Sequence, residues 1–409
     1  MVLREAPNRR LGHSGRYIIG VMIDDFDRVI ERRGTASSKW FKYSADVLPL
    51  WVADMDFRSP EPVVRALRDR VEHGVFGYGH QLEVTELNEV FADRLEKRYG
   101  WRVSPEAIVP VPGVIPGFNV ACRMLTAPGQ GILMQTPLYP PLLRVPGNLG
   151  LRFDEVPLAR DAAGRYGVDQ DAVEATIRPD TRVLLLCNPH NPVGRVLTRG
   201  ELTALAQTCL KHRLAIVADE IHCDLVFPGY QHVPIASLDG EVAARTVTLM
   251  APSKTFNLAG LKCSVAIITD QQLRERFIAA RVDMVQTVNI LGHTAALAAY
   301  RDGQPWLDDL LRYLEANRDF LGRFVERHLP GVSMVSPEGT YLAWIDCRAA
   351  GPAAQDPFTF FLERARVAFN DGVLFGRNGQ GFVRLNFGCP RSILEKALGR
   401  MRDALQTPP

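Results

Sequence analysis

Short apolar runs that end in polar residues recur through the middle of the chain. Four of them are GILMQTPLY at 131–139, RVLLLCNPHNP at 182–192, RLAIVADEIH at 213–222 and TVTLMAPSK at 246–254. Short, nearly continuous apolar runs bounded by turn residues are typical of strands that are buried on both faces. The pattern therefore predicts four strands of one buried sheet.

A helix is predicted between the second and third of these strands. The stretch LTRGELTALAQTCLKHR at 197–213 has apolar residues at helical spacing, and Thr198 is of the type that caps a helix N-terminus. Such strand, helix, strand units build a mostly parallel sheet with helices on both faces, so the predicted fold class is α/β. A further strand, CSVAIIT at 263–269, follows Lys254 too closely for a crossover helix and should run antiparallel.

The C-terminal part shows a different pattern. QPWLDDLLRYLEANRDFLGRFVERHL at 304–329 has the periodicity of one long amphipathic helix, and TYLAWIDC at 340–347 and FVRLNFG at 382–388 are typical of strands. We expect the long helix to lead from the central sheet into a separate C-terminal part.

Composition narrows the class of protein. The 409 residues are 46% hydrophobic and 23% charged, with a net charge of +2, and we find no long run of like charges. Neither nucleic acid nor a membrane surface is therefore an expected partner. No apolar stretch approaches the roughly 18 residues of a membrane helix. The seven cysteines are odd in number and form no C-x-x-C pair, which favours reduced thiols in a cytoplasmic protein and no metal site.

Several common chemistries lack their motifs. The sequence contains no G-x-G-x-x-G after a strand, no G-x-x-x-x-G-K-[ST], no H-E-x-x-H and no complete G-x-S-x-G. The sequence therefore gives no motif evidence for a dinucleotide-binding protein, a P-loop protein, a zinc protease or a serine hydrolase.

The polar residues at the strand ends point to another chemistry. In open parallel sheets, ligands bind beyond the carboxyl ends of the strands, so one crevice is expected to collect Tyr139, Asn188, Asn191, Asp219, His222 and Lys254. A lysine that forms a Schiff base with pyridoxal phosphate needs a carboxylate beside the ring nitrogen of the cofactor, and Asp219 suits that role. Each residue alone also has a structural explanation: a surface lysine, a helix-capping aspartate, a turn asparagine or a core-edge tyrosine. Their order and strand-end positions favour the cofactor site.

A phosphate site is predicted at the start of another helix. PVPGVIPGFNVACRML at 110–125 places Gly113, Val114 and Ile115 before an apolar helical stretch. Free amides at a helix N-terminus bind phosphate, although a glycine turn before a core helix is also common.

From about residue 25 to residue 402 the sequence resembles fold type I, aspartate-aminotransferase-like enzymes that use pyridoxal phosphate. It is more closely similar to their cystathionine β-lyase subgroup, of the MalY/PatB kind. The general family motifs are NPHNPVG, ADE and SKTFNLAGLK, and the subgroup motifs are LPLWVADMDF, FGYGH, DEIH and FVRLNFGCPR.

The resemblance implies a role for each matching residue. Lys254 is expected to carry the cofactor and then remove the α proton, while Asp219 keeps the ring nitrogen protonated. Asn191 contacts the phenolate oxygen and Tyr139 stacks on the ring. Arg384 grips the substrate α-carboxylate with its planar fork.

The remaining site residues also follow from the resemblance. Val114, Ile115, Ser253 and Lys262 are expected at the phosphate, and Tyr78 is expected to reach the phosphate of a neighbouring subunit in a homodimer with shared active sites. The substrate is expected to contact Ala53 in addition to Asn191 and Tyr139.

Three positions depart from the wider family. His222 stands where aminotransferases often have a tyrosine near the phenolate oxygen, as is usual in the β-lyase subgroup. Ala251 replaces a serine that binds phosphate, so Ser253 or Thr255 is expected to compensate. Lys262 replaces a phosphate-binding arginine.

The implied architecture is a large domain over 72–300 and a small domain from 23–71 and 301–409, after a disordered extension over 1–22. The implied activity is a carbon–sulfur β-lyase that converts cystathionine or a related cysteine S-conjugate to thiol, pyruvate and ammonia. An aminotransferase and a non-enzymatic, regulatory partner-binding protein are the alternatives.

Overall fold

The computed structural model describes residues 25–79 and 84–407 in full, and the backbone of residues 17–18, 21–22 and 81–83. The predicted extension over 1–22 therefore lies outside the fully described residues, apart from the backbone of one short antiparallel strand pair. His80 of the FGYGH motif also lies outside the described residues.

The described strands are short and distributed along the whole chain. In chain order they are β1 Tyr17–Ile18, β2 Val21–Met22, β3 Leu48–Pro49, β4 Ile108–Val111, β5 Gly131–Thr136, β6 Arg152–Pro157, β7 Ala159–Arg160, β8 Tyr166–Gly167, β9 Thr181–Cys187, β10 Ala215–Asp219, β11 Thr246–Met250, β12 Ser264–Ile267, β13 Ser333–Met334, β14 Leu342–Asp346, β15 Val367–Ala368, β16 Asn370–Asp371 and β17 Phe382–Asn386.

The described helices include several long ones that cover the sheet. In chain order they are α1 Ser38–Phe41, α2 Glu61–His73, α3 Gln81–Tyr99, α4 Val114–Leu125, α5 Pro140–Leu143, α6 Val145–Leu149, α7 Gln170–Thr176, α8 Arg199–Lys211, α9 Gly240–Ala243, α10 Pro252–Thr255, α11 Gln271–Arg281, α12 Ile290–Asp302, α13 Gln304–His328, α14 Pro357–Phe360 and α15 Arg391–Gln406.

The central sheet has the order β4-β12-β11-β10-β9-β5-β6. Strands β11, β10, β9, β5 and β6 pair in parallel, whereas β12 pairs antiparallel with both β11 and β4. The four strands predicted from the apolar runs and the antiparallel direction of the strand after Lys254 are therefore confirmed.

Both faces of this sheet are buried. Along β9, Val183 and Leu185 pack in one hydrophobic cluster with α4, while Leu184 and Leu186 pack in another with α8. Alternate side chains of a strand point to opposite faces, so the continuous apolar run in the sequence follows from burial on both sides.

Two helix starts match their sequence signals. Thr198 caps α8 in a capping box with Glu201, as predicted. Helix α4 begins directly after Gly113, and its Gly117 lies so close to β11 that a Cβ there would be 2.7 Å from the Leu249 side chain. The small residue therefore lets α4 approach the sheet and brings its N-terminus to the strand ends.

The two ends of the chain combine in a second sheet region. Strands β13, β14, β17 and β16 form a four-stranded antiparallel sheet, and the N-terminal strand β3 pairs in parallel with β15. The 25-residue helix α13 leads from the central region into this part, which confirms the predicted long helix.

None of the helices in the described ranges is long and apolar enough to cross a membrane. All seven cysteines are described, and each is buried and free.

Candidate active site

A pocket of about 470 Å³ opens at the carboxyl ends of the parallel strands. Most residues predicted for the site line it: Ala53, Val114, Ile115, Tyr139, Asn191, Asp219, His222, Ser253, Lys254 and Lys262. One strand-end residue is an exception to the expected crevice. Asn188 does not line the pocket. It is fully buried, and its Oδ1 accepts a hydrogen bond of 3.0 Å from the Leu197 amide.

Lys254 lies in the short helix α10 that follows β11. Its Nζ donates a hydrogen bond of 2.7 Å to the carbonyl oxygen of Ala53. Burial lowers the pKa of Lys254 to about 8, although the nearby Asp54 and Asp219 carboxylates favour the charged form. A large share of the amine is therefore neutral near pH 8, the form that attacks an aldehyde or accepts a proton.

Asp219 is the last residue of β10 and is 2% exposed. Burial raises its pKa to about 7, against a hydrogen bond from the Ile221 amide to Oδ1 at 3.2 Å. The charge on this carboxylate is poorly compensated, so a protonated ring nitrogen would be a favourable partner.

His222 follows Asp219 in the same segment. Burial, assisted by the charges of Lys254 and Arg384, lowers its pKa to about 3, so the imidazole is neutral. Its buried Nδ1 has no hydrogen-bond partner among the described residues. Since His222 lines the pocket, this atom is a free polar group that suits a polar ligand.

The N-terminus of α4 suits an anionic group. Gly113 has φ of +127° and ψ of 154°, a conformation that favours glycine, and no side chain caps the helix. The amides of Val114 and Ile115 are thus without intrahelical partners at the pocket wall. Ser253 and Lys262 line the same pocket.

Only one of the two residues expected to compensate for Ala251 lies at the pocket. Ser253 lines it, but Thr255 is fully buried and donates a hydrogen bond of 3.1 Å to Asp224. Asp224 also binds Arg94 and Arg98 of α3, each at 2.8 Å. Thr255 therefore anchors the helix α10 that carries Lys254, and its side chain does not line the pocket.

Arg384 of β17 is 3% exposed and lies behind Asn191, to whose Oδ1 it donates a hydrogen bond of 2.9 Å. It also donates to the carbonyl oxygen of Trp51 at 3.0 Å and to Asn370. These hydrogen-bond partners among the described residues are all uncharged, and burial lowers the pKa of Arg384 to about 10. A buried guanidinium with only neutral partners favours a carboxylate ligand.

Residues 51–57, which we call the clamped segment, contribute Ala53 to the wall of the pocket. Asn386 donates to the carbonyls of Val52 and Asp54 at 2.6 and 2.9 Å. Asn257 donates to the carbonyls of Met55 and Phe57 at 3.0 and 2.8 Å. These side chains hold a segment without regular structure against the pocket.

Buried charges fix the same segment from its other side. Lys39 is fully buried and lies 2.7 Å from Asp56, while Arg32 binds Asp54 at 2.7 Å and Asp56 at 2.8 Å. The LPLWVADMDF motif therefore has a structural basis, since its acidic residues are partners of the preceding N-terminal segment.

Sequence reasoning missed some residues at the site. Tyr341, Asn386 and Asn257 lie in motifs that were noted only as strands or family signs, and Asp224 lies two positions after the last residue of DEIH. The polar type of Asn257 in SKTFNLAGLK and of Asn386 in FVRLNF was the available signal. Nothing local in the sequence indicates which carbonyl groups they bind.

Tyr78 is not part of the pocket of its own chain. Its side chain is fully exposed, in the stretch between α2 and α3, and Val75 and Phe76 beside it are 60% and 53% exposed.

The chain is similar to known proteins over most of its length. The family model for aminotransferase class I and II matches residues 45–401. Over 388 residues the chain is 39% identical to cystathionine β-lyase PatB of Bacillus subtilis, which covers 93% of this chain and 100% of that protein.

Two solved structures agree with this match. The structure of OvoB is 47% identical, with a TM-score of 0.89, and covers 94% of this chain and 100% of OvoB. Cystalysin from Treponema denticola, whose structure contains a pyridoxal 5'-phosphate cofactor, is 34% identical with a TM-score of 0.89 and covers 94% of this chain and 99% of cystalysin. The fold expected from the order of strands and helices is thereby confirmed over nearly the whole chain.

Proposed function

The chain belongs to the class I and II aminotransferase family, and we propose that its site cleaves the Cβ–S bond of cystathionine or a related cysteine S-conjugate. It has the fold type I architecture and is a pyridoxal-phosphate-dependent carbon–sulfur β-lyase. The products are a thiol, pyruvate and ammonia. The full-length match to a cystathionine β-lyase carries this conclusion. It is supported by Lys254 and Asp219, which line the pocket, and by Arg384, which is hydrogen-bonded to the lining residue Asn191.

The pocket fits the cofactor at three points. Lys254 would supply the amine for the aldehyde, Asp219 the carboxylate for the ring nitrogen, and the amides of Val114 and Ile115 the phosphate site. We assign Asn191 and the neutral His222 to the polar edge of the ring and Tyr139 to its face. When bound, the cofactor accepts the electron pair left at Cα after loss of a proton.

The chain's own residues then orient the substrate and move its proton. Arg384 binds the α-carboxylate, which compensates the buried guanidinium and fixes Cα near the amine of Lys254. Neutral Lys254 takes the α proton at Nζ. The Cβ–S bond breaks with its electron pair on sulfur, and the released aminoacrylate reacts with water to give pyruvate and ammonia.

An assay with L-cystathionine distinguishes this reaction from that of an aminotransferase. A lyase forms pyruvate and free thiol in equal amounts without any added keto acid. Turnover that appears only when a keto-acid acceptor is supplied would contradict the proposal and favour transamination.

We further propose that the active protein is a homodimer in which Tyr78 serves the neighbouring site. The exposed apolar cluster of Val75, Phe76 and Tyr78 supports this, because such side chains are usually covered by a partner. In a two-fold dimer the sharing is reciprocal, so each site contains residues from two chains.

Subunit mixing tests the shared site. Lys254→Ala and Tyr78→Phe proteins are mixed under conditions that allow exchange. One site of a mixed dimer carries both changes and the other carries neither, so the activity should exceed the sum of the two parents. Demonstrated exchange with impaired parents and no increase in activity would contradict the sharing.

Two further proposals concern organisation and location. We propose the domain boundaries 23–71 with 301–409 for the small domain and 72–300 for the large one, supported by the pairing of β3 with β15. A cytoplasmic location is supported by seven unpaired, buried cysteines.

A further inference from the structure

One carbonyl group in the pocket receives two side-chain donors. The carbonyl oxygen of Ala53 accepts a hydrogen bond of 2.7 Å from Nζ of Lys254 and another of 3.2 Å from the hydroxyl of Tyr341. Tyr341 is 1% exposed, and its ring lies edge to face with His222 at a centroid distance of 6.1 Å. A buried phenol thus shares its acceptor with the reactive lysine.

The other carbonyls of this stretch have donors of their own. The Trp51 carbonyl accepts a hydrogen bond from Arg384, and the carbonyls of Val52 and Asp54 accept hydrogen bonds from Asn386. The peptide groups on either side of Ala53 are therefore fixed, and its carbonyl presents a defined acceptor to Lys254 and Tyr341.

The backbone that carries Tyr341 is held firmly on the large domain. Glu338 accepts hydrogen bonds from Arg195 at 2.6 and 2.8 Å and from the Val196 amide at 2.9 Å. The Gly339 amide donates to the Gly194 carbonyl at 3.0 Å. The segment 338–341 therefore cannot move without breaking buried bonds.

Thr340 adds an independent sign of constraint. It has φ of +69°, in the left-handed region that a β-branched residue rarely adopts. Its amide donates to the Leu225 carbonyl at 2.7 Å and its Oγ1 accepts from the Leu342 amide at 3.1 Å. Strained conformations of this kind persist where the surroundings impose them, often at functional sites. Here the strained residue directly precedes Tyr341.

We propose that Tyr341 is a positioning residue for Lys254, acting through the Ala53 carbonyl that both side chains share. The inference rests on the proposed role of Lys254. Whenever the lysine amine is free, this carbonyl holds it in the pocket. The tyrosine hydroxyl occupies the second lone pair of the same oxygen, which limits how strongly the carbonyl stabilises the charged ammonium form.

The charges that face Lys254 come from several elements. They are Asp54 of the clamped segment, Asp219 of β10, Arg384 of β17 and Lys262 after α10, together with the neutral His222. Replacement of Tyr341 by phenylalanine alters none of them and removes only the hydroxyl. A change in the titration of Lys254 would therefore report the loss of the shared hydrogen bond.

The test follows the reaction of cofactor-free protein with pyridoxal phosphate by visible absorbance as a function of pH. The wild-type rate should rise with pH through a midpoint near 8, since Lys254 must be neutral to react. In Tyr341→Phe the midpoint should rise by about half a pH unit, because the carbonyl then stabilises the ammonium form more strongly. With cystathionine, kcat should fall about tenfold while KM changes less than about twofold, and α-deuteration should slow the variant more than the wild type.

Tyr166→Phe is the matched control. Tyr166 is also buried, and its hydroxyl accepts a hydrogen bond of 3.2 Å from Trp344 away from the lysine. This control should keep the wild-type midpoint and kcat. Fluorotyrosine at position 341 gives a second test, because it retains the ring and strengthens the donor, so the midpoint should fall.

Two outcomes separate the possible failures. If Lys254→Ala abolishes the reaction but the midpoint of Tyr341→Phe stays at the wild-type value or falls, the positioning role of Tyr341 is overturned. If Lys254→Ala reacts like the wild type, the proposed role of Lys254 fails and this inference fails with it.

Discussion

The two walls of the pocket are built in different ways. The first, which we call the strand-end wall, consists of Tyr139, Asn191, Asp219, His222 and Lys254, each within a few residues of the end of a parallel strand. The second is the clamped segment 51–57, which has no regular structure. Most of the side chains that bind its carbonyls lie 200 to 334 positions away in the sequence, and only Arg32 and Lys39 among the described residues bind them from nearby.

The two walls differ in what holds their residues in position. Strand ends are positioned by the hydrogen bonds of the sheet itself, so their side chains converge without special partners. An irregular buried segment must instead satisfy each of its backbone groups individually. We therefore expect substitutions in the strand-end wall to cause the largest losses of kcat. Substitutions around the clamped segment should lower kcat less and should also lower the stability of the fold.

The largest effect is expected for Asp219→Asn in the strand-end wall. The amide cannot balance a protonated ring nitrogen, so kcat should fall about 1,000-fold in steady-state assays. Asp154→Asn is the matched control, since Asp154 is similarly buried but lies on the edge strand β6, where it binds Thr181 and Arg152. A kcat of Asp219→Asn close to that of the control would remove the distinction between the walls.

Arg384 touches both walls, through Asn191 and Trp51, and its replacement tests their connection. Arg384→Lys keeps the charge but loses the planar fork, so kcat/KM should fall about 100-fold. Arg318→Lys, at a largely buried arginine that stacks on Phe227, should leave kcat/KM unchanged. Equal kinetics of the two variants would show that Arg384 does not bind the substrate.

Asn386→Ala tests the clamped segment alone. The carbonyls of Val52 and Asp54 each lose one of two hydrogen bonds, so the free energy of unfolding should fall by about 2 kcal/mol and kcat by about tenfold. Asn317→Ala removes a similar pair of bonds, to the carbonyls of Phe387 and Cys389, and should lower stability alone. Equal kcat values for the two folded variants would mean that the clamped segment contributes only stability. Urea unfolding and initial rates provide both measurements.

The smallest effect concerns the charge that the clamped segment places near the lysine. Asp54 raises the pKa of Lys254, against the larger lowering by burial. Asp54→Asn should therefore shift the pH midpoint of the reaction with pyridoxal phosphate below 8, by less than about one unit. A shift to higher pH would contradict the assignment, because a lost negative charge cannot stabilise the ammonium form.

The same difference explains how much could be predicted from the sequence. The apolar runs before Tyr139, Asn191, Asp219 and Lys254 indicate both where each strand lies and where it ends. The positions of these side chains at one edge of the sheet could therefore be predicted from local sequence patterns. The antiparallel β12 followed from a connection too short for a helix. Local patterns of this kind need no knowledge of distant residues.

The clamped segment could not be predicted in this way. Its motif was noticed through a family resemblance, but distant partners of its carbonyls lie directly before β14, on β17 and in the turn after Lys254. Tyr341 in TYLAWIDC had the pattern of a core strand residue, and nothing in that pattern indicates its hydrogen bond with the Ala53 carbonyl. The expectation that one crevice collects Asn188 failed for a related reason, since its amide side chain binds the backbone of Leu197 within the fold.

Chemical labelling can identify which lysine binds the cofactor. Protein loaded with pyridoxal phosphate is reduced with borohydride, digested and mapped by mass spectrometry. Two lysines line the pocket, Lys254 and Lys262. We expect the reduced cofactor to be attached to Lys254, with Lys262 unmodified. Attachment to Lys262, or to any lysine outside the strand-end wall, would contradict it.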